Sequence, residues 1–306
     1  MGLSATPLTL WDQERNDMVL EYFGGIIYRW TIHDAIHPPK GFDPCLSPYY
    51  YHVEFCTLGA DEMERYNELS AEISKITARL NPDKEGFNKR LDSNPALQRL
   101  LFERSDVVQE CESRFDLLRK VVAKYDSVLR KCIVYCNTLE EIDRVQKILS
   151  SMGYDSVKYH SQLKGKSRES ALEDFRHGSS RFIIAKGCLD QGVDIPNCDS
   201  AIIMSSSREP REYIQRRGRV LRLSDRSKIA TIIDFFVLPY DYDSIATGSV
   251  SLDRTESDVI RKQLDRIGIF IDDSFNAVDN DILIQRIRAK CGVEYHGPVD
   301  QGQDNS

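Results

Sequence analysis

The chain has 306 residues, a formal net charge of −7, a 41% apolar fraction and a 29% charged fraction. That length allows one large or two medium domains with a sizeable core. No run of about 18 apolar residues is present, so no membrane span is expected, and the charge excludes a wholly basic coat for nucleic acid while leaving room for a local basic groove. Eight cysteines, none in Cys-x-x-Cys spacing, suit a reducing compartment better than a disulfide framework.

In chain order, 1–10 show neither a basic leader nor a signal core. The spacing of Trp11, Met18, Val19, Leu20 and Phe23 predicts a helix stopped by Gly24-Gly25. Ile26 to Trp30 is strand-like. Thr31-Ile32-His33-Asp34 has the form of a capping box opening a short helix. His33 and His37 are four apart, but no third ligand stands nearby, so surface or packing histidines are expected and no metal. Alternating Tyr, Val and Phe predict a strand from Pro48 to Leu58.

Tyr66, Leu69, Ile73, Ile76 and Leu80 form one apolar helical stripe. A second helix begins after Asn94-Pro95, and Val108, Cys111, Phe115, Leu118 and Val122 extend a stripe of the same kind. Core packing explains both stripes, and together they predict a helical hairpin or arm. From Lys131 to Pro239 strands and helices alternate with short links. Strands are expected at 132–136, 156–160, 181–185, 200–204 and 229–236, and helices at 139–152, 167–176 and 209–221. This alternation predicts an α/β fold: a parallel sheet sandwiched by helices, with ligands at the carboxyl ends of the strands, where Thr138, His160, Lys186 and Ser205 fall. Tyr240 to Gly248 reads as a linker or loop, 252–270 and 282–289 as C-terminal helices, and 297–306 as a disordered tail.

The chemistry concentrates near 185–222. From Arg208 to Lys228 there are eight Lys/Arg and three Asp/Glu. Gln215, Arg219 and Arg222, four and three apart, would share one helical face. Guanidinium forks beside a glycine, Gly218, suit a polyphosphate or a phosphate backbone. A solvated basic face is the plainer explanation, which the flanking apolar Ile214, Val220 and Leu221 weaken.

The stretch Gln215-Arg216-Arg217-Gly218-Arg219-Val220-Leu221-Arg222 resembles motif VI of superfamily 2 helicases, Q-x-x-G-R-x-x-R. Ala185 to Pro196 resembles their motif V, with Gly192, Asp194 and Pro196 in place; Cys132 to Thr138 looks like motif IV, and Ser4-Ala5-Thr6 like motif III. Tyr22 to Arg29, Ala35-Ile36 and Tyr66 are similar to the XPB-like and restriction-type branch. The resemblance implies a RecA-like domain in which Arg219 and Arg222 are arginine fingers. Gln215, Gly192 and Asp194 would face the nucleotide cleft, while Thr138, Lys186, Gln162 and Arg168 would contact the nucleic-acid backbone. Relatives carry Thr and Asp where this chain has Lys186 and Gly187.

A motor also needs a P-loop, G-x-x-x-x-G-K-[ST], and an acidic magnesium motif. Gly165-Lys166-Ser167 fails the first because residue 160 is His160, and Asp61-Glu62 heads an amphipathic helix. The resemblance therefore implies the C-terminal half of an ATP-dependent DNA helicase, starting before motif III. ATP and Mg²⁺ would be bound in the parent and not by this chain alone. The expected divisions are 1–47 as the end of the first RecA-like domain and connector, 48–125 as strand plus arm, 126–240 as the second RecA-like domain, and 241–296 as a helical extension. The expected partners are DNA, as single strand or duplex, and the missing N-terminal RecA-like domain, in cis or in trans, with no membrane; the expected setting is cytoplasmic or nucleoid-associated, with DNA repair among the roles. A non-hydrolytic nucleic-acid-binding or regulatory module, or the motor part of a restriction or defence complex, are the alternatives.

Overall fold

The computed structural model describes residues 13–28, 30–80, 94–186, 198–204, 218, 220–223, 228–252 and 254–291. The chain divides into two compact units. The first comprises Met1–His52, Tyr125–Ile233 and Phe270–Ala277; the second comprises Val53–Lys124, Asp234–Ile269 and Val278–Ser306.

Six strands make one sheet: β1 (Tyr49–Thr57), β2 (Cys132–Cys136), β3 (Ser156–Tyr159), β4 (Phe182–Lys186), β5 (Ser200–Ile203) and β6 (Ala230–Leu238), in the order β1-β6-β5-β2-β4-β3. β2 pairs in parallel with both β4 and β5, and β3 with β4. Every residue of β2, β5 and β6 is buried. A strand covered on both faces has no solvent side to mark with polar residues, which is why Cys132-Ile133-Val134-Tyr135-Cys136 reads as an unbroken apolar run. The α/β class expected from the alternating pattern is the one observed.

In the first unit, α1 (Gln13–Phe23) and α2 (Ile32–Ile36) precede the sheet. The box at Thr31 forms as the residues suggest: Asp34 N donates to Thr31 Oγ1 at 3.0 Å and Thr31 N to Asp34 Oδ2 at 2.9 Å. Of the strand expected at 26–30, none of the described residues 26–28 and 30 is in a strand. Ile26, Ile27 and Tyr28 are exposed and in no strand. Apolar β-formers without a partner edge have no ladder to join. β1 lies at the end of the sheet order, and the Asn276 side chain meets its backbone, accepting from Tyr51 N at 2.9 Å and donating to Tyr51 O at 2.8 Å.

In the second unit, α3 (Ala60–Arg79) and α4 (Pro95–Gln109) pack as a hairpin through Leu69, Ile73, Leu97 and Leu100. Asn94 caps α4, accepting from Leu97 N at 3.0 Å. The stripe from Val108 to Val122 falls on two helices: α4 ends at Gln109, and α5 (Ser113–Lys124) starts afresh. At the cut, Glu112 N donates to Glu62 Oε1, Ser113 Oγ to Thr57 O, and Arg114 Nε to Cys111 O. Local side-chain bonds compete there with helical ones. α6 (Leu139–Ser151) and α7 (Gly165–His177) flank the sheet of the first unit, and α7 ends on Gly178 at φ 81°, a left-handed turn that favours glycine.

The loop expected at 240–248 contains a short helix, α8 (Tyr242–Thr247). Asp241 caps it, accepting from Ser244 N at 2.8 Å, and Gly248 closes it at φ 79°. α9 (Arg254–Ile271) and α10 (Ala277–Lys290) follow. Among the described residues no helix is long and apolar enough to cross a membrane.

Candidate nucleotide and nucleic-acid face

The parallel register sends several chain segments out of the sheet at one edge. Cys136 stands opposite Lys186, Tyr159 opposite Ala185, and Tyr135 opposite Ile203. Asn137-Thr138, His160 to Gln162 and Lys186 therefore leave neighbouring strands at the same end. This is the end where parallel α/β sheets take ligands, because the loops there converge with helix N-termini.

Thr138 is fixed by a reciprocal box. Glu141 N donates to its Oγ1 at 3.1 Å, and Glu141 Oε2 accepts from Asn137 N at 2.6 Å and Thr138 N at 3.4 Å. The Thr138 hydroxyl accepts in this arrangement and keeps its own proton to offer an incoming oxygen. Glu141, buried at 7% exposure, is a residue that the sequence reading passed over. The Thr-x-x-Glu spacing ahead of an apolar stripe was the signal.

Lys186 ends β4 with its side chain exposed, and Gln162 is exposed in the turn after β3, where Leu163 N donates to His160 O at 3.1 Å. Arg168 is partly withdrawn. Its Nε donates to Tyr159 Oη at 2.8 Å, and its guanidinium carbon lies 5.0 Å from the Tyr159 ring centroid. A cation stacked on a buried ring serves packing as well as any contact with phosphate. Gly165-Lys166-Ser167 opens α7, with Gly165 at φ 34° and no side-chain cap from Lys164. Among the described residues no group of three His, Cys, Asp or Glu could hold a metal ion, and the His33 and His37 rings lie 5.2 Å apart.

Four of the candidate residues, Gly192, Asp194, Gln215 and Arg219, lie outside the described residues. Gly218 and Val220 are helical, and Val220 and Leu221 are buried. Arg222 corrects the expectation of a shared helical face. It stands beyond the helical residues, in an isolated antiparallel bridge with Leu46, and its side chain is exposed. Ser47 N donates to Leu221 O at 2.7 Å. Lys228 Nζ donates to Val220 O at 2.8 Å and to Arg222 O at 3.0 Å. Burial pushes the Lys228 ammonium pKa down, against the opposing pull of Cys198 and Asp199. The Cys198 thiol is itself pushed up to about 12 by burial.

The α/β sheet thus carries polar and basic groups at its strand ends. Residues 113–224 match the helicase conserved C-terminal domain. Over 240 residues the chain is 24% identical to a DNA 3'-5' translocase XPB2 of Sulfurisphaera tokodaii, covering 75% of this chain and 51% of that protein. It is also 26% identical over 125 residues to the ATP-dependent RNA helicase DbpA of Bacillus subtilis, covering 41% of this chain and 26% of that one. Among solved structures, the C-terminal part of the Fun30 ATPase domain is similar at 13% identity and a TM-score of 0.48, over 81% of this chain and 100% of that chain. The chain thus spans about half the length of the first relative and about a quarter of the second.

Proposed function

We propose that this chain acts as the C-terminal half of an ATP-dependent DNA helicase or translocase, supplying arginine fingers and part of the DNA track, and that it hydrolyses no ATP alone. The observation that carries the proposal is Arg222: an exposed guanidinium on a main chain held by Leu46, Ser47 and Lys228. A guanidinium stabilises the charge that spreads over phosphoryl oxygens in the transition state, and it does so best when held in advance. ATP with Mg²⁺ would supply the phosphoryl group and its charge-neutralising metal. Arg222, with Arg219, would meet the phosphates, while Gln215, Gly192 and Asp194 would complete this wall of the cleft. The two arginines in this set are cationic, which fits a polyphosphate. The P-loop and magnesium ligands would come from an N-terminal RecA-like domain, in cis or in trans.

Thr138, Lys186 and Gln162 would contact the nucleic-acid backbone at the strand ends, with Arg168 in a lesser role. Contacts of this kind carry no base sequence, so they suit a translocating motor. The preference for DNA follows the relative that matches most of this chain, a DNA translocase; the RNA helicase matches a shorter part. The test is reconstitution. The chain alone should show no DNA-dependent ATPase. Combined with its N-terminal RecA-like domain it should show hydrolysis stimulated by DNA more strongly than by RNA. Hydrolysis by the isolated chain would defeat the division of labour, and stronger stimulation by RNA would defeat the choice of DNA.

A further inference from the structure

We propose that Lys228 is a positioning residue for the arginine segment, its ammonium fixing the backbone of residues 220–222 so that Arg222 meets the nucleotide in a set geometry. The inference rests on the assignment of Arg222 as an arginine finger and adds to it a residue that never touches the nucleotide.

Helix ends leave carbonyls without intrahelical partners, and these need donors from elsewhere. Here three consecutive carbonyls have them. Val220 O and Arg222 O take bonds from the single Lys228 Nζ at 2.8 and 3.0 Å, and the carbonyl between them, Leu221 O, takes one from Ser47 N at 2.7 Å. The antiparallel bridge from Leu46 to Arg222 adds a further backbone constraint. Lysine suits the task because a compact ammonium offers several rotatable donors from one atom, and a cation is favoured where helix carbonyls point outward.

The surroundings make this an expensive place for a charge. Val220 and Leu221 are buried, as is Cys198, and burial depresses the pKa of Lys228. A lysine serving only solubility would lie in water. This one is partly desolvated and spends its donors on the carbonyls that bracket Leu221. Small misplacements of a catalytic group cost large factors in rate, so a clamp on the carrier backbone is felt in turnover.

The experiment compares Lys228→Met, Lys228→Arg and Arg222→Ala in the chain combined with its N-terminal RecA-like domain. Lys228→Met should lower kcat on the order of 10- to 100-fold, with KM for ATP within about twofold. It should also speed hydrogen exchange at the Ser47 amide, and Lys228→Arg should restore most of kcat. Lys228→Gln, which keeps a neutral donor, replaces the methionine variant should that fail to fold, with the same expected direction. Wild-type kcat in Lys228→Met, beside lost hydrolysis in Arg222→Ala, would overturn the clamp and leave the arginine assignment standing. Unchanged hydrolysis in Arg222→Ala would instead overturn the assignment on which the clamp depends. A lowered kcat that Lys228→Arg does not restore would also count against the clamp.

Discussion

The two units use arginine in opposite ways. In the second unit Arg104 and Arg114 are 0% and 1% exposed. Arg104 donates from Nη1 to Ser70 Oγ at 3.2 Å, and its guanidinium carbon lies 5.4 Å from the buried Tyr66 ring centroid. Arg114 donates from Nε to Cys111 O at 3.0 Å, across the break between α4 and α5. In the first unit Arg222 is exposed, with its backbone held and its side chain outward. One arrangement buries the guanidinium in the fold; the other leaves an exposed arginine on a bonded main chain. The lesson is that the backbone around an arginine, more than its neighbours in sequence, decides which use it has.

The largest effect that would test this contrast is on turnover. If Arg222 is the arginine finger proposed above, Arg222→Ala in the chain combined with an N-terminal RecA-like domain should cut ATP hydrolysis by on the order of 10³. Stability should change by no more than about 0.5 kcal/mol, as for other exposed substitutions. Steady-state ATPase assays beside a denaturant titration separate the two quantities. Full turnover in the variant, or a large loss of stability, would erase the distinction between the two kinds of arginine.

Arg104→Ala should do the reverse. Removing a buried guanidinium deletes a charged hydrogen bond and opens a cavity against Tyr66, at a cost of about 3 kcal/mol. Once folded, the variant should keep whatever turnover the wild-type chain shows in the reconstitution proposed above. A shift in the unfolding midpoint worth less than about 1 kcal/mol would show that the buried arginine is not structural in the sense argued.

Much of this contrast was invisible in the chain as text, for identifiable reasons. The run from Cys132 to Cys136 announced a buried strand because burial on both faces removes all alternation. Thr31 with Asp34 and Asn94 with Pro95 announced helix starts because capping is a local bond between residues a few positions apart. Arg222 did not announce its place, because its bridge partner, Leu46, is remote in sequence and helical spacing says nothing of where a helix stops. Lys228 escaped for the same reason: its role is to bond carbonyls, and carbonyls have no letter. The strand-like 26–30 misled in the other direction, since β-forming side chains without a partner edge form no strand. Within the candidate site, Thr138 and Lys186 were legible as strand-end residues, whereas the withdrawal of Arg168 onto Tyr159 depends on a ring presented by the neighbouring strand.

The smallest effect concerns an exposed charge in the second unit that still serves structure, and so limits how far exposure alone can be used. Asp241 caps α8, and the Ser244 hydroxyl and amide hold its carboxyl below the ordinary carboxylate range. A carboxylate whose pKa is depressed in the folded state contributes stability that is present above its unfolded value, about 3.9. That contribution is lost as pH falls through the lower folded value. The α8 turn should therefore loosen only in strong acid, with the Ser244 amide resonance moving along the same titration as Asp241. Asp241→Asn keeps a good cap without the titrating proton and should leave Ser244 insensitive to acid, while Asp241→Ala should loosen the turn at every pH. A Ser244 amide that still titrates in the asparagine variant would assign the acid sensitivity to another group and detach it from the cap.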